Sequence, residues 1–218
     1  MATSDAASTT ASASRERILG RIRAALERPA GLEKHATEGP PIFAPVTDAM
    51  ARLTTECAGN MTELIRTSNA EGTSAALGQV LASLPEGEIY SQDAPRLRSA
   101  LKTTRPVRWS SQGPPPETSQ ATISLCHTLV AQTGSILVTA SDGGRGASVV
   151  APCHIVVASR DQLVPDLETA LAGVVASGAP QNNSFLCLIT GSSRTADIEK
   201  ILVLGAHGPR RLVLIVEG

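Results

Sequence analysis

"HIVVASRDQLVPDLETALAGVVAS", residues 154–177, decides the fold. Its first six residues are largely apolar and β-branched and lack in-and-out alternation, the pattern of a strand buried on both faces. "DLETALAGVVAS" then reads as a helix. A strand covered on both sides and followed by a helix belongs to a parallel sheet, because parallel neighbours need crossover connections and helices supply them.

The same alternation runs outward in both directions. Towards the C-terminus, "SFLCLIT" (184–190) and "RLVLIVE" (211–217) are strands, and "SILVTAS" (135–141) is another just upstream. In the first half, Thr47-Asp48 caps a helix with Met50, Leu53 and Cys57 on its apolar face, and Gly59-Asn60 stops it. "MTELIRT" (61–67) and "GEIYSQ" (87–92) read as strands, "SAALGQVLASL" (74–84) and "DAPRLRSALK" (93–102) as helices, the latter with Pro95 in its first turn. The proline-rich loop 110–120 divides this half from the more strand-rich one. These readings give a layered α/β domain with a mainly parallel sheet over residues 45–218. Ahead of it, 1–14 reads as a disordered tail and 29–44 as a proline-rich connector. Between them, 15–28 is an amphipathic helix carrying Ile18, Leu19, Ile22, Ala25 and Leu26.

Composition narrows the function. Nineteen Lys and Arg against twenty Asp and Glu leave a formal net charge of −1, so no field draws nucleic acid or an anionic membrane. Aromatics make up 2%, too few for base-stacking platforms. No apolar run is long enough to span a bilayer, and the start lacks a secretory signal, so a cytoplasmic location is expected. Cys57, Cys126, Cys153 and Cys187 form no Cys-x-x-Cys pair, so no zinc ribbon or iron–sulfur cluster is expected in this chain.

Three loops collect glycine, hydroxyl and basic residues beside the strands: "AQTGSI" (131–136), "SDGGRGAS" (141–148) and "TGSSRTADI" (190–198). Ligands of open α/β sheets bind where strand ends turn towards helix N-termini. The candidate anion-binding residues are therefore Gln132, Thr133, Gly134, Ser135, Arg145, Gly191, Ser192, Ser193, Arg194 and Thr195, with Arg145 and Arg194 as cationic forks. A ligand-free reading competes: Thr195 as N-cap of a helix "ADIEKIL" (196–202), and "SDGGRGAS" as the turn of a hairpin. Cys126-His127 and Cys153-His154 suggest a metal site, but neighbours on a strand point to opposite faces, so no metal is expected. His154 and His207 are read as structural histidines that could also carry a proton, and are secondary candidates for the ligand site.

"VAQTGSILVTAS", "APCHIVVASRDQLVPDLETAL" and above all "LITGSSRTADIEKILVLGAHGPRRLVLIVEG" resemble the LUD-domain proteins, specifically the lactate-utilization protein C group. The resemblance covers roughly 45–218 in layout and is close from about residue 129 onward. It implies a three-layer α/β/α fold like that of the CoA transferases and sugar-phosphate isomerases. It also implies an accessory place in a bacterial system that oxidises L-lactate to pyruvate, with iron–sulfur clusters in the partner subunits and none in this chain. The alternative is an enzyme of the acyl- or CoA-transferase or sugar-phosphate-isomerase type. The family pattern has Glu-Thr-Gly-Thr where this chain has Gln132-Thr133-Gly134-Ser135, and Leu-Pro-Pro-x-His-Ile around Ala151-Pro152-Cys153-His154. If that acid is a base or nucleophile in relatives, a carboxamide does not replace it.

Overall fold

The computed structural model describes residues 4–27, 43–196, 202–204 and 208–218. It divides into two compact units, Met1–Ala44 and Pro45–Gly218. In the first, helix α1 (Ser4–Leu26) begins well ahead of the expected Arg15, so the stretch read as a disordered tail is helical from Ser4. Residues 4–14 hold four alanines and no Gly or Pro, so nothing local stops a helix nucleated further on from extending back through them. Ile18, Ile22 and Leu26 are exposed on it. The connector at 29–44 lies outside the described residues except for its last two.

The second unit opens with α2 (Ala49–Gly59). Asp48 caps it by accepting the Ala51 N–H at 3.0 Å, and Met50, Leu53 and Cys57 form its buried face, as the sequence predicts. Strand β1 (Thr62–Thr67), α3 (Ala70–Ala82), β2 (Ile89–Ser91) and α4 (Pro95–Ala100) follow in the expected order. Then come β3 (Val107–Trp109), β4 (Ala121–Ser124), β5 (Thr128–Val130), β6 (Ser135–Thr139), β7 (Cys153–Ser159), β8 (Leu163–Val164), α5 (Leu167–Ala176) and α6 (Ala179–Asn182). The chain closes with β9 (Leu186–Ile189), β10 (Arg194–Ala196), β11 (Leu202–Leu204) and β12 (Arg211–Glu217).

Six strands form one sheet in the order β1-β12-β7-β4-β2-β3, and every neighbouring pair is parallel. Its interior strands are buried on both faces, which explains their unbroken apolar runs. Ile155, Val157, Val213 and Ile215 pack on one face against Leu77, Val80 and Leu81 of α3 and Leu97 of α4. Val156, Ala158, Leu212 and Leu214 pack on the other against Met50 and Leu53 of α2 and against Leu129, Ile136 and Val138 of a second, mixed sheet, β8-β5-β6-β9. Helices α5 and α6 lie behind that second sheet, where Val174 and Ala179 meet Leu137.

This corrects two expectations. "SILVTAS" and "SFLCLIT" do not join the parallel sheet; as β6 and β9 they pair antiparallel to each other, and β6 pairs antiparallel to β5. The four residues 131–134 between β5 and β6 are too short for a crossover, so the chain must fold back. One face of the main sheet is therefore covered by α2 and strands rather than by helices alone. Secondly, Thr195 is not the N-cap of a helix. Thr195 lies in β10, opposite Val203 of the antiparallel β11. The β-branched Thr195 and Val203 suit such a ladder. Residues 197–201 lie outside the described part. Among the described residues no helix is long and apolar enough to cross a membrane.

Replacing fully buried Leu214 by Ala is expected to cost ~2–5 kcal/mol in urea unfolding, since it leaves a cavity between the main sheet and α2. A loss below ~1 kcal/mol would mean that this face is not close-packed.

Candidate functional site

The two ends of the parallel sheet present different chemistry. At the amino ends, Asn60 precedes β1 and donates from Nδ2 to the Thr133 carbonyl at 2.9 Å. Gly134, at φ 64°, lies so close to the last turn of α2 that a Cβ would stand 2.7 Å from Glu56 Cβ. Gly191, at φ 87°, packs still tighter: a Cβ there would meet the Asn60 carbonyl oxygen at 2.2 Å. Both glycines thus exist to seat the C-terminal turn of α2. The neighbouring hydroxyls bond one another, Thr133 Oγ1 to Ser135 Oγ and Ser135 Oγ to Thr190 Oγ1, each at 2.7 Å. Ser192 is buried, and the Ser193 N–H is given to the Pro209 carbonyl. A helix C-terminus carrying Glu56 is electrostatically the wrong neighbour for an anion.

Gln132 is engaged here too. Its Oε1 accepts from the Leu167 N–H at 3.5 Å, beside the Asp166 cap of α5, and its carbonyl accepts from Arg52 at 3.3 Å. Arg194 is exposed in β10, and His207 lies outside the described residues.

Arg145 is elsewhere. It donates to the Ser184 carbonyl at 2.7 Å, ahead of β9, whereas Thr133, Ser135 and Thr190 lie at the opposite end of the β6·β9 pair. The three loops therefore do not converge. Segment 141–148 is a turn, as its glycines indicate, but it links β6 to β7 in different sheets and is no hairpin.

Its position follows from the path of the chain. After β2 the chain passes to α4 on one face, and after the adjacent β4 it passes to β5 on the other. Such a divergence opens a crevice at the carboxyl ends of the two strands. Gln92 fills it, accepting the Leu125 N–H at 2.7 Å and donating to the Ser141 carbonyl at 3.0 Å. The Tyr90 hydroxyl donates to the Gly143 carbonyl at 2.6 Å. These two side chains, which carry no motif, moor the glycine-rich segment to the sheet edge and leave a cleft of about 420 Å³ beside Tyr90, Ser110, Gly113 and residues 140–146. A second groove, of about 570 Å³, lies between α3 and residues 102–105, away from the carboxyl ends.

His154 is buried under α2's side of the sheet, with Nε2 2.9 Å from Ser124 Oγ and Nδ1 without a partner among the described residues. Burial pushes its pKa down to about 4. Cys126 packs on that same face and Cys153 on the opposite one, so the sheet parts the Cys153 thiol from Cys126 and His154. Burial pushes the Cys153 thiol up to about 11 and Cys126 up as well. Among the described residues no group of three His, Cys, Asp or Glu side chains is placed to hold a metal ion.

Residues 116–216, which span β4 to β12, match the profile of the LUD domain. This stretch is a LUD domain. Relatives named lactate utilization protein C align with the chain. That of Bacillus subtilis is 27% identical over 189 residues, 78% of each chain, and that of Geobacillus thermodenitrificans 29% over the same share. The Deinococcus radiodurans protein is 36% identical over 105 residues; the match spans 46% of this chain and about half, 47%, of that relative's length. The fold is similar to the crystal structure of a DUF162 family protein from Deinococcus radiodurans, with TM-score 0.64, 22% identity, and cover of 81% of this chain and 100% of that one. The LUD domain thus contributes the Gln132 turn, the Arg145 segment and His154, while α2, Tyr90 and Gln92 come from outside its bounds.

The depressed His154 pKa has a pH consequence. Between the unfolded value near 6.5 and the folded value near 4, the unfolded chain binds a proton that the native one does not. Stability is fully present above pH 6.5 and falls as pH drops towards 4, by on the order of 3 kcal/mol. Urea unfolding at pH 7 and pH 4.5 is expected to show a smaller loss for His154→Gln than for the wild type; equal losses would show that His154 is not held neutral.

Proposed function

We propose that this chain is an accessory, ligand-binding subunit of an iron–sulfur-dependent system that oxidises L-lactate to pyruvate. The observation that carries the reading is the alignment with proteins named lactate utilization protein C across 78% of the chain, which takes in most of the second unit. The clusters would reside in partner proteins, in keeping with four cysteines that are scattered, three of them deeply buried. The six-stranded parallel sheet with its appended mixed sheet suits the CoA-transferase-like fold that the resemblance implies, and we take that fold as part of the proposal. An acyl- or CoA-transferase or isomerase reading is weaker, because the position of the family acid holds Gln132, whose amide oxygen is turned to the start of α5.

The tagged chain, isolated from its native cells, is expected to bring down proteins containing iron and acid-labile sulfide, and the eluate to reduce a dye with L-lactate. A chain that elutes alone and inert overturns the proposal. Gln132→Glu separates the two readings. As an accessory subunit the variant gains no acyl-transfer activity, and a carboxylate facing the α5 N-terminus leaves Tm unchanged or raises stability by ~0.5 kcal/mol. Turnover of a thioester by Gln132→Glu would favour the enzyme.

A further inference from the structure

We propose that the cleft between the carboxyl ends of β2 and β3 and the glycine-rich segment 140–146 binds an organic anion bearing a carboxylate or phosphate group, with Arg108 and Arg145 as its anchors. This rests on the ligand-binding part of the reading above and is independent of the partner proteins.

The cleft, of about 420 Å³, is within the range of small-molecule sites and larger than a three-carbon acid needs. Pro114 and Pro115 give it a rigid apolar wall against which an organic body can lie, while Ser110, whose Oγ accepts the Asp93 N–H at 2.9 Å, keeps its own hydroxyl proton to donate. Arg145 borders it from the turn and gives the Ser184 carbonyl one hydrogen bond, out of a guanidinium with five donors.

Arg108 comes from the opposite side. It is the register partner of Tyr90 across β2 and β3, so both side chains leave the same face of the sheet. Its Nη2 stands 3.3 Å from the point a Cβ on Gly113 would occupy, and Gly113, at φ 125°, lines the cleft. A Cβ there would crowd the guanidinium, and its absence gives Arg108 room to back this wall. The Arg108 donors are under-used: Nε is buried with no partner among the described residues, and Nη2 reaches the Gln112 carbonyl only at 3.4 Å. A half-buried guanidinium with its inner N–H unpaired is under-satisfied, and an anion reaching it from the cleft relieves this. The acids of the adjoining loops are already committed. Asp93 accepts from Arg98 and Ser111, and its hydrogen bond from Arg98 above all holds its carboxyl down at about 2. Asp142 is turned to the Thr139 amide and hydroxyl. Arg145 therefore borders the opening and Arg108 stands behind its Gly113 wall, neither with a counter-charge from these acids.

The test is an NMR titration of the full ¹⁵N-labelled chain with citrate and L-lactate in one arm and inorganic phosphate and glycerol 3-phosphate in the other. Saturable shifts at the amides of Gly113, Gly144 and Gly146 are expected, stronger for a probe with an organic body, and the better arm names the head group. Arg145→Ala, an exposed change that spares the fold, and Arg108→Gln, which keeps most of the side chain's length, should each weaken binding roughly tenfold. Arg194→Ala should leave it unchanged. No shift at these amides with any probe up to roughly 10 mM, or equal affinity in the wild type and Arg145→Ala, overturns the site. Failure here leaves the co-purification result untouched, and a chain that binds anions yet elutes alone removes only the lactate system.

Discussion

The burial of β7 and β12 on both faces is the constraint from which the rest follows. Their seven-residue parallel ladder, Arg211 opposite Cys153 through Glu217 opposite Ser159, has side chains that must leave water on either side. One side is closed by α3 and α4, the other by α2 and the mixed sheet. To supply both covers, the chain leaves β2 and β4 towards opposite faces, and that parting opens the crevice which Gln92 and the 140–146 segment occupy. The cleft is thus a by-product of packing, and its cationic lining is what packing alone does not explain.

The sequence discloses local features well. Asp48 caps α2 as read, with a hydrogen bond of 3.0 Å, and the apolar runs of β7 and β12 announce a two-faced strand. What it conceals is pairing. "SILVTAS" and "SFLCLIT" have strand composition whichever sheet receives them, and only the four-residue turn before β6 reveals the antiparallel partner. The stretch after Gly191 carries helix-compatible spacing, yet Thr195 lies in a ladder, because pairing across 194–204 overrides a short local preference.

The candidate site was legible in part. The glycine-rich loops draw attention in the sequence, but glycine permits close approach to protein as readily as to ligand, and the space beside Gly134 and Gly191 is filled by the end of α2 and its cap Asn60. Arg145 is on the carboxyl rim, while Thr133 and Ser135 are at the far end of the β6·β9 pair. Tyr90, Gln92 and Arg108 sit in an unremarkable stretch of sequence, and their relevance arises only once β2, β3 and β4 are placed side by side.

The seating of α2 against Gly134 and Gly191 has a consequence for where this protein begins as a physical object. The recognisable profile starts at residue 116, yet the steric slots in its own turns are shaped for atoms of residues 56–60. Evolutionary outline and thermodynamic outline therefore differ: a piece cut at 116 would carry two notches with nothing to fill them and a sheet shorn of three strands.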